Sequence, residues 1–130
     1  EISSEAPGVN NDWPSDISFY LNDVKIGTWT SPGDYGDVQG IFTPDWWFPN
    51  WNQYGLLKMI VINKKGTFVD GLKISDVNIR KFNLDYKSTI RFKFQIEEDA
   101  KNVGGLTIFG SGFGNYNQDI KVRIAYSQME

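Results

Sequence analysis

At 130 residues, 15% aromatic and 22% charged, the chain has the size and composition of one globular domain, long enough to bury most of its core without a covalent staple. A formal net charge of -3 and a pI near 4.9 disfavour a polyanionic partner such as nucleic acid, and a wholly acidic substrate as well. Cysteine and histidine are both absent, which removes disulfides, thiolate metal sites, Ser-His and Cys-His nucleophiles and the commonest transition-metal ligand.

Residues 1–13 read as a polar lead-in or linker whose large anchor is Trp13, leaving 14–130 as the domain proper. Ile17, Phe19 and Leu21 alternate with Ser18 and Tyr20 in strand periodicity, Asn22-Asp23 makes a turn, and residues 24–29 complete a hairpin. Residues 31–40 are dense in turn formers and run directly into an aromatic segment, making about 25 residues of loop, a length that usually marks function. An apolar run over 56–62 ends at the turn Asn63-Lys64-Lys65-Gly66, and 67–69 follow as a short strand. Leu72 and Ile74 have one parity and Val77 and Ile79 the other, which predicts one strand kinked at Ser75-Asp76. The clearest alternation lies in 90–96 (Ile90, Phe92, Phe94, Ile96) and in 120–126 (Ile120, Val122, Ile124, Tyr126), with another strand over 106–109 between them. No window keeps helical spacing over three turns. The expectation is an all-β, single-domain antiparallel β-sandwich, jelly-roll-like, of about eight short strands.

The segment Thr43-Pro-Asp-Trp-Trp-Phe-Pro-Asn-Trp-Asn-Gln-Tyr54 carries three of the five tryptophans between turn-forming residues. Pro44 and Pro49 remove backbone donors and fix φ, so the segment suits neither a central strand nor a helix interior and belongs at the surface. Adjacent residues of an extended segment face opposite ways, so one sheet cannot bury both Trp46 and Trp47. A cluster of exposed aromatic faces marks a binding site, and the C–H face of a pyranose packs well on an indole. Trp46, Trp47 and Trp51 are the leading platform candidates against the alternative of a small core under a long loop. Trp29 and Tyr54 suit core and platform about equally, and Tyr86 is a further stacking candidate on a neighbouring turn. Asn52 and Gln53 carry amides that both donate and accept, as sugar hydroxyls require, although turn chemistry explains asparagine equally well. Arg91 belongs to a basic stripe with Lys93, Lys121 and Arg123, and would reach sugar oxygens if its strand flanked the loop.

Other chemistry is thin. Asp34, Asp37 and Asp45 resemble the start of an oxygen-rich cation site without the spacing of the twelve-residue calcium loop, so no metal and no cofactor is assigned. Gly110-Ser-Gly-Phe-Gly114 has the wrong spacing for a nucleotide loop and no helix after it, leaving Phe113 and Tyr116 as plugs for a corner of the sandwich. Without histidine, and without an isolated glutamate in an aromatic setting, a complete glycosidase is not expected. No apolar run approaches the roughly 18 residues that span a bilayer. Glu1 begins no recognisable signal peptide, so the chain reads as a module of something longer.

The combination Gly27-Thr-Trp-Thr-Ser-Pro-Gly-Asp-Tyr-Gly-Asp37, Thr43-Pro-Asp-Trp-Trp47, Gln53-Tyr-Gly55 and Ile108-Phe-Gly-Ser-Gly-Phe-Gly-Asn-Tyr-Asn-Gln-Asp-Ile120 resembles the non-catalytic carbohydrate-binding modules of bacterial plant-cell-wall hydrolases, especially those of cellulosome-forming ruminococci and clostridia. That resemblance implies a secreted, monomeric β-sandwich that binds cellulose, β-glucan or a related hemicellulose and targets an appended hydrolase. Trp46 and Trp47 would match the paired indoles of such a module, with Trp51, Tyr54 or Tyr86 as a third platform residue. The competing expectation is an immunoglobulin-like adhesion or spacer domain whose tryptophan loop meets a protein partner.

Overall fold

Alternating apolar residues close a core here only where a partner strand lies alongside, and the strands that achieve this form three small antiparallel sheets. The computed structural model describes residues 1–85 and 87–126. Its strands are β1 (Ile2–Ser3), β2 (Ser15–Leu21), β3 (Val24–Ser31), β4 (Ile60–Asn63), β5 (Gly66–Val69), β6 (Leu72–Ser75), β7 (Phe92–Gln95) and β8 (Thr107–Ile108). The sheets are ordered β1-β8, β3-β2-β7 and β4-β5-β6, and the helical content among the described residues is one 3-10 turn, Ile79–Lys81. The fold is all-β and is not a barrel.

The β2-β3 hairpin forms where the sequence places it. Asn22 and Asp23 adopt φ of 47° and 68°, the left-handed pair of a turn whose twist matches that of the flanking strands. The same turn receives β7: the Arg91 N–H donates to Asn22 Oδ1 at 2.8 Å, and the Asn22 N–H donates to the Arg91 carbonyl at 2.9 Å. Ile17, Phe19, Leu21 and Ile26 are buried with Ile2 and Val69, and Trp29, Ile60, Ile62, Ile74, Phe94 and Ile96 pack on them. One core therefore joins the β3-β2-β7 and β4-β5-β6 sheets. Phe19 meets Phe94 edge to face at 5.5 Å, and Ser75 Oγ donates to the Ile26 carbonyl at 2.5 Å, tying β6 to β3. A Cβ at Gly27 would lie 2.3 Å from Ile74 Cδ1, so a side chain there would require Ile74 to move out of its place between the two sheets.

Four expectations need correction. Residues 1–6 are woven into the fold: Ile2 and Ser3 pair with Ile108 and Thr107, and Ser3 and Ser4 are fully buried. Small serines let backbones approach closely, and Ser4 Oγ bonds Ser31 Oγ at 2.9 Å. The apolar run 56–62 contributes only β4, because Leu56 pairs with Ile2 in an isolated bridge and the Met59 N–H is taken by the Asp70 carboxylate at 2.9 Å. The parity switch after Ile74 marks the end of β6, where Ser75 Oγ accepts the Val77 N–H at 3.2 Å and Asn78 caps the 3-10 turn through the Arg80 N–H at 3.0 Å. Residues 120–126 belong to no strand: Ile120, Val122 and Tyr126 are exposed, and no sheet edge pairs with them.

Asp34 holds the N-terminal segment from beneath. Its fully buried carboxylate accepts the Ala6 N–H at 2.8 Å on Oδ2, while Oδ1 has no partner among the described residues. Burial pushes this carboxyl up, opposed by the Ala6 bond and reinforced by Glu5.

Phe19→Ala should cost about 3–5 kcal/mol in urea unfolding, the usual range for emptying an aromatic core position. A loss under about 1 kcal/mol would place the core elsewhere. For Asp34, a folded pKa above the unfolded value of about 3.9 gives stabilisation that is complete below the unfolded pKa and is lost as pH rises through the folded one. The stability difference between wild type and Asp34→Asn should therefore shift toward the Asn variant as pH rises from about 4 and level off above the folded pKa. A difference that does not vary with pH would show that Asp34 is not destabilised by its burial.

Candidate functional site

The loop between β3 and β4 is built from successive tight turns. The Thr43 N–H reaches the Gly40 carbonyl at 3.1 Å, Trp47 reaches Pro44 at 3.0 Å and Trp51 reaches Phe48 at 3.2 Å. Proline suits these positions because its fixed φ favours turns and its missing N–H is not needed. The underside of the loop is polar, with Thr43, Asn52 and Gln53 buried. Thr43 Oγ1 donates to the Gln53 carbonyl at 2.7 Å and accepts the Gly114 N–H at 3.0 Å. Gln53 donates its backbone N–H to the Tyr35 carbonyl at 2.6 Å and its side-chain Nε2 to the Phe48 carbonyl at 2.9 Å. Asn52 Nδ2 donates to Thr107 Oγ1 at 2.7 Å, fastening the loop to β8. A Cβ at Gly40 would sit 2.3 Å from both the Gln53 carbonyl oxygen and Thr43 Oγ1, so only glycine lets the chain cross here.

Above this base the aromatic rings are arranged around Trp47. Its indole meets Trp51 at 5.1 Å, Phe113 at 5.4 Å and Trp46 at 5.9 Å, each nearly perpendicular, in the edge-to-face geometry that aromatic quadrupoles favour. Trp47 Nε1 donates to the Asn52 carbonyl at 2.9 Å, which fixes the ring. Trp47 is half-buried, whereas Trp46 is 69%, Phe48 56% and Trp51 49% exposed. Trp46 and Trp47 thus divide as their adjacency predicts, although the division occurs in a turn, and their rings, 77° apart, form no flat pair.

The remaining candidates are not gathered at this surface. Asn52 and Gln53, only 9% and 3% exposed, are struts of the loop and do not present their amides to a ligand. Tyr54 stacks on Tyr35, with centroids 5.3 Å apart and planes 12° apart, and its hydroxyl donates to Asp37 Oδ1 at 2.8 Å. Burial, with the Asp37 bond adding to it, pushes its phenol up to about 12. Trp29 packs against the core with the Lys58 ammonium 4.9 Å from its ring centroid, an assignment to core and not to platform. Arg91 pairs with Asp23 at 2.5 Å, beside the hairpin turn. That turn lies at the opposite end of β3 from Ser31, roughly 23 Å of strand away at 3.3 Å per residue, so Arg91 does not flank the start of the loop. Tyr86 lies outside the described residues.

Phe113 is the ring that sequence reasoning misplaced. It does not plug a corner of the fold; it stacks edge-on against Trp46 at 5.7 Å and against Trp47, while Tyr116 is exposed. The available signal was one bulky residue between Gly112 and Gly114, both at positive φ.

A groove of about 310 Å³ opens beside the aromatic cluster, lined by Trp47, Pro49, Asp37, Gln39, Asp45 and Gln53 among others. Gln39 Nε2 donates to Asp45 Oδ1 and to the Thr43 carbonyl, both at 2.9 Å. The Tyr54 hydroxyl, foremost, holds the Asp37 carboxyl below the usual carboxylate range. A wider hollow of about 530 Å³ beside Asp76, Val77 and Arg80 is lined by no aromatic residue, and size alone does not make it the site. Asp34, Asp37 and Asp45 do not converge, and no group of three or more acidic side chains able to hold a metal ion forms among the described residues.

Thr43→Val keeps the side-chain shape while leaving the Gln53 carbonyl and the Gly114 N–H unpartnered. It should cost about 1–3 kcal/mol in thermal or urea unfolding. An unchanged midpoint would mean that the loop does not depend on this hydroxyl.

No family model matches the chain, and neither a curated protein nor a solved structure matches it, so the site is read from its own geometry.

Proposed function

We propose that the chain is a non-catalytic carbohydrate-binding module, a monomeric jelly-roll-like β-sandwich that binds β-1,4 or mixed-linkage glucans by stacking them on Trp46, Phe48 and Trp51. In this reading it acts outside the cell, needs no cofactor, and keeps an appended hydrolase against the plant cell wall. The observation that carries the proposal is the contrast between the two faces of the 43–54 loop: three exposed aromatic rings stand on a base of buried and part-buried hydrogen bonds. Rings held in place lose little freedom when a ligand docks, and pre-organisation of that kind favours binding. The near-perpendicular Trp46 and Trp47 favour a single glycan chain in a shallow cleft over the flat face of a crystalline polymer.

A second reading, an adhesion or spacer domain of immunoglobulin-like type, draws on the exposed Ile41 and Phe42, whose backbone N–H groups are held by Asn115 Oδ1 and the Gly114 carbonyl beside Phe113. They extend the apolar surface toward a size that also suits a protein partner.

Calorimetry with cellotriose through cellohexaose and with barley β-glucan distinguishes the two. Affinity should rise with chain length and level off once the exposed rings are covered, in the micromolar to millimolar range expected of an open site. Trp46→Ala and Trp51→Ala should each weaken binding at least tenfold, at a stability cost within about 0.5–1 kcal/mol. Trp47→Ala should lose binding and also on the order of 2 kcal/mol or more of stability, because the ring is central to the cluster. The absence of heat with every β-glucan would favour the protein-binding reading.

A further inference from the structure

The sheet β3-β2-β7 stops at an edge that is open. Asn22 and Arg91 exchange hydrogen bonds across the β2-β7 seam, and alternate residues of an antiparallel strand turn their backbone groups to the same side. Lys93 and Gln95 therefore face β2, whereas the N–H and carbonyl groups of Phe92 and Phe94 face outward, where no other described residue bonds them. Edges of this kind are usually guarded by a proline, a bulge or an outward lysine. β7 contains no proline and pairs with β2 without a bulge, and its one lysine, Lys93, lies with its ammonium 4.4 Å from the Tyr20 ring centroid, folded back over its own sheet.

The chain also carries a segment of matching form. Residues 120–126 alternate Ile120, Val122, Ile124 and Tyr126 with Lys121, Arg123 and Ala125; they expose Ile120, Val122 and Tyr126, and their backbone bonds no described residue. Set antiparallel against β7 with Ile124 opposite Phe94, the segment brings Val122 to Ile96 and Tyr126 to Phe92, with every apolar side chain on one face. On the other face Lys121 meets Glu97, Arg123 meets Gln95 and Ala125 meets Lys93. A slip of two residues one way would oppose Arg123 to Lys93. The same slip the other way would carry Val122 onto Glu98, inside the turn that the Ala100 N–H closes on the Glu97 carbonyl at 3.1 Å. A slip of one would turn the basic residues toward the core face.

We infer that residues 120–126 of one copy add as a fourth strand to the β7 edge of a second copy, reciprocally, in a two-fold dimer. The segment is unpaired with its own β7, and its start is tied to the 110–117 loop through Asp119 Oδ1, which accepts the Ser111 N–H at 2.8 Å. The edge open to it is a neighbour's, and the pairing of Lys121 with Glu97 gives that neighbour the right charge. Each chain remains a complete glycan-binding unit, the monomer of the proposal above being the low-concentration form, and the inference does not depend on what the aromatic surface binds.

Sedimentation velocity on the intact chain from about 1 μM to about 1 mM tests this. The chain should pass from monomer to dimer across that range, and hydrogen exchange at Phe92, Phe94 and residues 120–126 should slow only where the dimer is present. Val122→Pro removes the donor that would meet the Ile96 carbonyl at each of the two seams. It should weaken association about a hundredfold and leave the urea midpoint unchanged, since the segment lies outside the core. Lys121→Glu sets like charges opposite at Glu97 and should weaken association about fivefold at low salt, and by less in about 1 M sodium chloride. A chain still monomeric at about 1 mM would overturn the inference, whether its 120–126 amides exchange freely or are protected by closure on their own β7. A dimer indifferent to Val122→Pro would overturn it too, and loss of that dimer in Trp46→Ala would move the interface to the aromatic loop.

Discussion

The hydroxyl of Thr43 joins two carbonyl and amide groups, those of Gln53 and Gly114, which lie 10 and 71 residues away along the chain. Both partners are buried beneath a loop that carries its largest side chains on the outside. Tight turns close the backbone but give little net stabilisation, so the loop persists because opening it would leave desolvated polar groups without partners. The exposed indoles therefore depend on an interaction that they do not themselves make. Hydrophobic burial stabilises the two core sheets, and polar satisfaction stabilises the surface loop.

The same logic extends past Thr43. Asn52 reaches Thr107 on β8, and β8 is paired to β1, so the second strand of the smallest sheet is tied to the loop. The Glu1 carboxylate accepts N–H groups from Gly55, Asn115 and Tyr116, drawing the end of the aromatic loop and the 110–117 loop onto one anion. Phe113 reaches the tryptophans because its loop is held on both sides. The site is thus assembled from three remote segments: the N-terminus, the loop after β3 and the loop after β8.

What could be read in the sequence was whatever local chemistry decides. Asn22-Asp23 specifies its turn, Lys64-Lys65 separates two short apolar strands, and two prolines keep the tryptophans out of any sheet. Elements decided by a distant partner were not legible. Ser3 and Ser4 look like linker residues and are buried because their small side chains admit a neighbouring backbone. Residues 120–126 have strand alternation, but alternation describes a face, and a face makes a strand only beside an edge that accepts it. Asn52 and Gln53 have the amides of a sugar site, and the fold spends them on its own carbonyls and hydroxyls. Phe113 was hidden because a bulky residue between glycines suggests a plug for a corner of the sandwich, whereas here its ring packs on Trp46 and Trp47.

The division between struts and rings also bears on how such a surface changes over generations. Gly40 and Thr43 sit where a larger side chain would collide or a lost hydroxyl would leave buried groups unpaired, so drift at these positions is costly. Trp46, Phe48 and Trp51 project from that base into solvent, and under the proposed reading replacing them would alter what the surface recognises at little expense to the fold. A lineage could exchange one ligand for another through these three tips alone, with selection free to explore recognition while the scaffold remains above its stability threshold.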